Sequence, residues 1–293
     1  MSEKILFFGT PQIATHTLKE LNKHFEVVLV VTEPDKPAGR GLKVQPTPVK
    51  KVALKLGLPV AQPTNKKELT ELLQAQSADL GAIIAYGQIL TAEAIASLPQ
   101  GILNIHGSLL PKYRGPSPIQ YAILHGDQKT GVTIMKIDAG VDTGDILAKK
   151  EVIISPTDTT PTLAQKLVGV GTELLIETIP LYLAGKIKPQ PQTGQVTHAP
   201  KISKEMGEID WSKNPQQIVR EIRAFNGWPK SFTTFNGQRL IIHEAKVVAG
   251  QLKPLVVQLA GKQKVSWSDF LNGQRLSEKE ALETLQSKKT WPD

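Results

Sequence analysis

Asn104, His106 and Asp142 are the side chains best suited to chemistry in this sequence. The first two lie in Asn104-Ile105-His106-Gly107-Ser108-Leu109-Leu110-Pro111, at the end of the apolar run Gly101-Ile102-Leu103. If that run is a strand, side chains alternate, so the amide and the imidazole share one face. A donor amide beside a titratable ring can stabilise a developing oxyanion and move a proton during acyl transfer. The same pair could equally be a hydrogen-bonded polar cap without chemistry. Ligands of open α/β sheets sit beyond the carboxyl ends of strands, which favours the catalytic reading. Asp142, in VDTGD, offers the charge that orients a working histidine. Asp138 and Asp145 lie near enough to compete for that role, and Asp-Thr-Gly-Asp is also an ordinary turn sequence.

Such side chains need a scaffold, and a chain of 293 residues predicts two domains. Its composition, 40% hydrophobic and 21% charged, is that of a soluble globular protein. No apolar run reaches the ~20 residues that span a bilayer, and Met1-Ser2-Glu3-Lys4 leads straight into a strand, so neither membrane span nor signal peptide is expected. The absence of cysteine excludes disulfides, thiolate ligands and thiol nucleophiles, and a cytoplasmic protein is expected. His16, His24, His125, His198 and His243 have no metal-like spacing, so no metal is expected either. Net charge is +8, with 15 Lys and Arg against 10 Asp and Glu after residue 200. That excess suits either solubility or a polyanionic partner.

Strand-like runs at Lys4–Phe8, Val27–Thr32, Leu80–Ala85 and up to His106 alternate with helical patterns ending near Leu21, at Val49–Leu56, at Lys66–Ala75 and at Ala92–Ser97. This alternation predicts βαβ units and a mostly parallel, Rossmann-like sheet. Further strands are expected at Thr130–Ile137 and Ile146–Ile154, then a long helix from Thr162 to about Leu183. After Gly9 the sequence Thr10-Pro11-Gln12-Ile13-Ala14 lacks the later glycines of a dinucleotide fingerprint, and no P-loop is present. The Pro- and Gln-rich stretch from Lys186 to Gly194 reads as a linker. Beyond a helix near Pro215–Phe225, short runs at Phe232–Phe235, Arg239–Val248 and Leu255–Leu259 suggest a small β-barrel. The expected division is a catalytic domain over 1–188, a linker over 189–203 and a second domain over 204–293.

The segment NIHGSLLPKYRG (Asn104 to Gly115), with TGVTIM and DTGDIL, resembles the formyltransferases that use 10-formyltetrahydrofolate. Further motifs are similar to the branch of that family acting on methionine esterified to initiator tRNA. These are Glu33 to Gly41 with Val44-Gln-Pro-Thr-Pro48, Ile209-Asp210-Trp211-Ser212, Ile222 to Pro229, Phe235 to Leu240, and Asp269 to Gly273. The likeness covers nearly the whole chain. It implies a formyltransferase fold followed by an OB-like β-barrel. The barrel is expected to be shortened, because only Val248 to Pro254 joins segments that the family separates with more strand.

What the resemblance implies for activity is transfer of a formyl group from 10-formyltetrahydrofolate to the α-amino group of methionine on initiator tRNA, the step that supplies translation initiation. The donor is a co-substrate, and direct transfer asks for no metal. Asn104 is then the donor to the oxyanion, His106 binds the same oxygen or relays a proton, and Asp142 orients His106. Ser108, Leu109, Leu110 and Pro111 match the folate-binding loop, and Tyr86 is placed in the same pocket. Arg40 and Lys43, in a basic loop with Lys36, Lys50 and Lys51, and Lys201 at the linker exit are assigned to tRNA. No obligate protein partner is implied, and a monomer is expected.

Overall fold

The computed structural model describes residues 3–38 and 43–286. Runs with almost no polar residue become strands buried on both faces. In chain order these are β1 (Lys4–Phe8), β2 (Glu26–Val31), β6 (Leu80–Ile83) and β7 (Ile102–His106), and the half-buried β5 (Val60–Ala61) joins them at the edge beside β2, all parallel. Between β2 and β5 the chain forms a small antiparallel pair, β3 (Lys36–Ala38) with β4 (Lys43–Gln45). β8 (Lys129–Lys136) and β9 (Ile146–Ile153) then add to β7 antiparallel. The seven-stranded order is β5-β2-β1-β6-β7-β8-β9. Strand order reverses between β1 and β6, the position beyond whose carboxyl ends open α/β sheets bind their ligands. The sheet is thus mostly parallel, as the sequence predicts, and β8 and β9 give it an antiparallel edge that the sequence reading did not specify.

Helices α1 (Ala14–His24), α2 (Pro48–Lys55), α3 (Lys66–Gln74), α4 (Ala92–Ala96) and α5 (Pro118–His125) connect these strands, and α6 (Thr160–Leu183) follows β9. Their starts are written locally. Thr47, Asn65 and Thr91 each accept the backbone N–H three residues on, and Pro48 occupies the first turn of α2, where no N–H is needed. One side of the sheet packs Leu6, Phe8, Val31, Leu69, Leu73, Leu98 and Ile102 into a continuous core.

Chain contacts group into two units. The first holds residues 1–118, 129–153 and 164–199; the second holds 119–128, 154–163 and 200–293. The second unit therefore takes in two short segments from the N-terminal part of the chain. Within it Arg223 Nη1 donates to the Pro156 carbonyl at 2.6 Å, and Thr160 Oγ1 donates to that of Ala224 at 2.6 Å. The unit is built on α7 (Pro215–Ala224), β10 (Ser231–Phe235), β11 (Gln238–Val248), β12 (Gln251–Leu259), β13 (Val265–Ser266), α8 (Trp267–Gln274) and α9 (Glu278–Gln286). The four strands form an antiparallel sheet in the order β10-β11-β12-β13. β10 alternates buried and half-buried residues, as a sheet with one covered face requires. Ile218 and Ile222 of α7 meet Phe235, Leu240, Ile242, Trp267 and Phe270 in its core. The short join noted in the sequence is a two-residue hairpin, Ala249-Gly250, both at positive φ, linking β11 directly to β12. α5, α8 and α9 have no counterpart among the sequence expectations.

Candidate active site

His106 closes β7, and Asn104 two residues earlier lies between Ile83 of β6 and Met135 of β8. Strand alternation puts both side chains on one face. Asn104 is half-buried, and among the described residues its side chain has no hydrogen-bond partner. His106 is 6% exposed. Its Nε2 lies 3.0 Å from the Tyr113 carbonyl, which can only accept, so Nε2 carries the hydrogen in this arrangement. Nδ1 faces Asp142 Oδ1 at 3.5 Å, longer than a well-formed hydrogen bond.

The backbone brings these partners in by unusual turns. Tyr113 and Asp142 adopt φ of 63° and 53°, a left-handed conformation uncommon outside glycine. The second carboxylate oxygen of Asp142 accepts the Gly115 N–H at 2.7 Å, so Asp142 holds the chain after Tyr113 as well as facing the ring. Of the three neighbouring acids, only Asp142 meets His106. The Asp138 carboxylate accepts from Thr143 Oγ1 at 2.7 Å and the Gly140 N–H at 3.0 Å, which closes the turn, and Asp145 is exposed. At Gly144 a Cβ would fall onto the Lys136 carbonyl, so this turn packs against β8 only without a side chain there.

The loop from Ser108 to Pro111 is fastened from beneath. Thr133 of β8 donates its hydroxyl to the Ser108 carbonyl at 2.7 Å and accepts the Leu110 N–H at 3.1 Å. Lys149 of β9 donates to the Leu110 carbonyl, and burial holds its ammonium below the usual lysine range. Ser108 donates to the Lys112 carbonyl. These backbone groups are therefore committed internally. Ser108 and Leu110 are fully enclosed, Pro111 is buried, and Leu109 keeps part of its surface open. Leu109 lies over Gly131, where any Cβ would collide with it. Tyr86 is 2% exposed, set edge-on to Phe8 at 5.7 Å in the apolar core. Burial, and then the nearby Glu33 charge, push its phenol well above the usual tyrosine range. No described contact joins Tyr86 to His106 or Asp142.

In the basic loop, Lys50 Nζ is held by Asp35 at 2.7 Å and by Gln62, and Lys36 pairs with Glu33 at 3.1 Å. Lys43 and Lys201 are exposed. Arg40 lies outside the described residues. Among those residues no cluster of three or more His, Asp or Glu could hold a metal, and no helix is long and apolar enough to cross a membrane.

An amide, a buried imidazole and a carboxylate at the end of one strand form a constellation suited to acyl transfer. The family described as formyl transferase matches residues 3–179, and its C-terminal domain matches residues 201–254. The chain belongs to the formyl transferase family. Among its relatives, the methionyl-tRNA formyltransferase of Thermodesulfovibrio yellowstonii is 39% identical over 95% of this chain and 98% of its own length. That of Koribacter versatilis is 41% identical over 97% and 99%. The structure of methionyl-tRNA formyltransferase from Clostridium thermocellum superposes with a TM-score of 0.60 at 20% identity, covering 88% of this chain and 99% of that one. HypX from Aquifex aeolicus in complex with tetrahydrofolic acid gives 0.67 at 16% identity, over 92% and 47%. These two superpositions speak for the formyl transferase fold alone.

Sequence reasoning missed the Tyr113 carbonyl, the Gly115 N–H and Lys149, and two residues of the presumed linker, Gln192 and Thr197, described below. A backbone group has no letter of its own, and a lysine on an edge strand resembles any solvated lysine. Thr133 sat within TGVTIM, a motif noted for its family likeness without a role.

Proposed function

We propose that this formyl transferase moves the formyl group of 10-formyltetrahydrofolate to the α-amino group of methionine carried by initiator tRNA. The observation that carries the chemistry is the His106–Asp142 contact at the carboxyl end of β7, with the Asn104 amide on the same face. The acceptor follows the relatives, named methionyl-tRNA formyltransferase at about 40% identity over nearly the full length of both chains.

The amine nitrogen attacks the formyl carbon, a C–N bond forms, and the carbonyl oxygen becomes a tetrahedral oxyanion. Asn104 donates its amide N–H to that oxygen. One such preorganised donor contributes about 10²–10³ in rate. The incoming nitrogen must lose a proton, and the departing folate nitrogen must gain one. The loose edge between Nδ1 and Oδ1 is where that proton passes, while the Tyr113 carbonyl keeps Nε2 protonated and the ring fixed. Collapse of the oxyanion then breaks the bond to the folate nitrogen. Leu109 offers apolar surface to the pterin, and Ser108, Leu110 and Pro111 give that surface a rigid frame. Tyr86 sits in the core beneath the carboxyl ends of the strands and supports the same pocket. Lys43, Lys201 and Arg40 supply phosphate contacts to the tRNA. Residues 1–188 carry the chemistry and 204–293 the greater part of RNA binding.

The test incubates the protein with 10-formyltetrahydrofolate and, in separate arms, charged initiator tRNA, an amino-sugar nucleotide, or buffer alone. Formylated methionyl-tRNA, with the other arms silent, is the expected result. Formyl-sugar, or free formate without acceptor, would replace this reading with a sugar formyltransferase or a hydrolase.

A further inference from the structure

The segment from Gln190 to Ala199, which composition marks as a linker, is stitched across the elements that hold His106. Gln190 pairs with Ile146 through both backbone groups, at 2.7 and 2.8 Å. Gln192 reaches back with its side chain. Its amide nitrogen donates to the carbonyls of Asp142 at 2.8 Å and Gly144 at 2.9 Å. Its amide oxygen accepts from Arg114 Nε at 3.1 Å and Nη2 at 2.7 Å. Five residues on, Thr197 Oγ1 accepts the Tyr113 N–H at 2.8 Å, and the Thr197 carbonyl accepts the Arg114 N–H at 2.9 Å. Ala199 exchanges a further bond with Arg114, donating to its carbonyl at 2.7 Å.

The two groups that flank the imidazole are therefore each held by this strap. Asp142 faces Nδ1, and Gln192 grips its carbonyl. Tyr113 faces Nε2, and Thr197 grips its N–H. Both held residues sit at positive φ, a conformation that persists only where surroundings enforce it. Gln192 also spans the gap between the two loops, with its donor end on the Asp142 turn and its acceptor end on Arg114, next to Tyr113. No shorter amide and no acid could meet both demands.

We infer that Gln192 and Thr197 are positioning residues for formyl transfer, setting the His106–Asp142 and His106–Tyr113 distances from a segment outside the central sheet. The inference rests on the formyl-transfer reading above. Wild-type activity tests that reading, and the ratio of variant to wild type tests this one.

The experiment is a double-mutant cycle in steady-state formylation of methionyl-tRNA, with thermal melts confirming that each variant folds. Gln192→Ala is expected to lower kcat by about 10- to 100-fold, as an ångström-scale misplacement does. KM for both substrates stays at the wild-type value. In the Asp142→Asn background the same substitution is expected to have no further effect on kcat, because there is no carboxylate left to place. Thr197→Val is expected to lower kcat likewise, and Thr197→Ser, which restores the acceptor, to recover it. If Gln192→Ala does not melt cooperatively, the cycle is read on Gln192→Glu, which keeps the acceptor for Arg114 and turns an acceptor toward the two carbonyls. A wild-type kcat, a KM effect with kcat intact, an undiminished loss in the Asp142→Asn background, or equal activity of Thr197→Val and Thr197→Ser would each overturn the inference.

Discussion

At the scale of the residue, the site is a ring held at two points and an amide left open. The Tyr113 carbonyl and Asp142 face the two nitrogens of His106, and the half-buried Asn104 amide has no hydrogen-bond partner among the described residues. The types and spacing of Asn104, His106 and Asp142 were legible because strand alternation and a turn motif suffice to propose them. That Asp142, not Asp138 or Asp145, meets the ring followed from the family resemblance alone and not from residue types or spacing, since it depends on a left-handed turn that three similar acids could each have supplied. His243 is a different case. It is buried with Nε2 at 3.0 Å from Gln258 Oε1, and burial lowers its pKa beneath 6.5. As pH falls below about 6.5 the unfolded chain takes up this proton before the folded one does, so stability declines on the acid side until the folded pKa is passed. Denaturant midpoints recorded between about pH 7.5 and 5.5 are expected to fall for the wild type and to fall less for His243→Gln. Parallel slopes would show that His243 does not contribute.

Elements turn these residues into a site, and here β8 and β9 matter most. Thr133 ties two backbone groups of the Ser108–Pro111 loop, and it is fully buried. Thr133→Val leaves the Leu110 N–H and the Ser108 carbonyl unpaired, at about 1–3 kcal/mol for each group. Stability is expected to drop by about 2–6 kcal/mol in urea titration, with KM for the formyl donor raised; Thr133→Ser is expected to restore both. If Thr133→Val binds the donor normally, the loop does not depend on β8. Parallel strands such as β1 and β6 were readable because burial on both faces leaves unbroken apolar runs. The strap from Gln190 to Ala199 was not, because its Pro- and Gln-rich composition is that of a linker and its order comes from partners more than 50 positions away in the case of Tyr113 and Arg114. The helices α8 and α9 escaped notice for a related reason: Trp267, Phe270, Ala281 and Leu285 become a face only against the sheet they cover.

For the whole molecule, a net charge of +8 and exposed lysines at 43 and 201 fit a polyanionic substrate. Phosphate contacts release counterions, so each one adds close to one unit to the log–log salt slope. Lys43→Ala and Lys201→Ala are each expected to weaken tRNA binding and to flatten that slope by about one. Slopes unchanged from the wild type would remove these lysines from the RNA surface. Lys50 is already engaged by Asp35 and Gln62, and Lys36 by Glu33, which sets them apart from Lys43. Length and composition led to the expectation of two continuous domains, whereas the grouping of residues 119–128 and 154–163 with the C-terminal chain follows from contacts such as Arg223 to Pro156. Above all these contacts stands the claim that Asn104 and His106 act together on the formyl carbon. Single-turnover formylation of methionyl-tRNA by Asn104→Ala and His106→Ala, at saturating donor, measures that step alone. The account predicts rate constants lower than wild type by about 10²-fold or more for each variant, with tRNA affinity unchanged. Near-normal rate constants in either would contradict it.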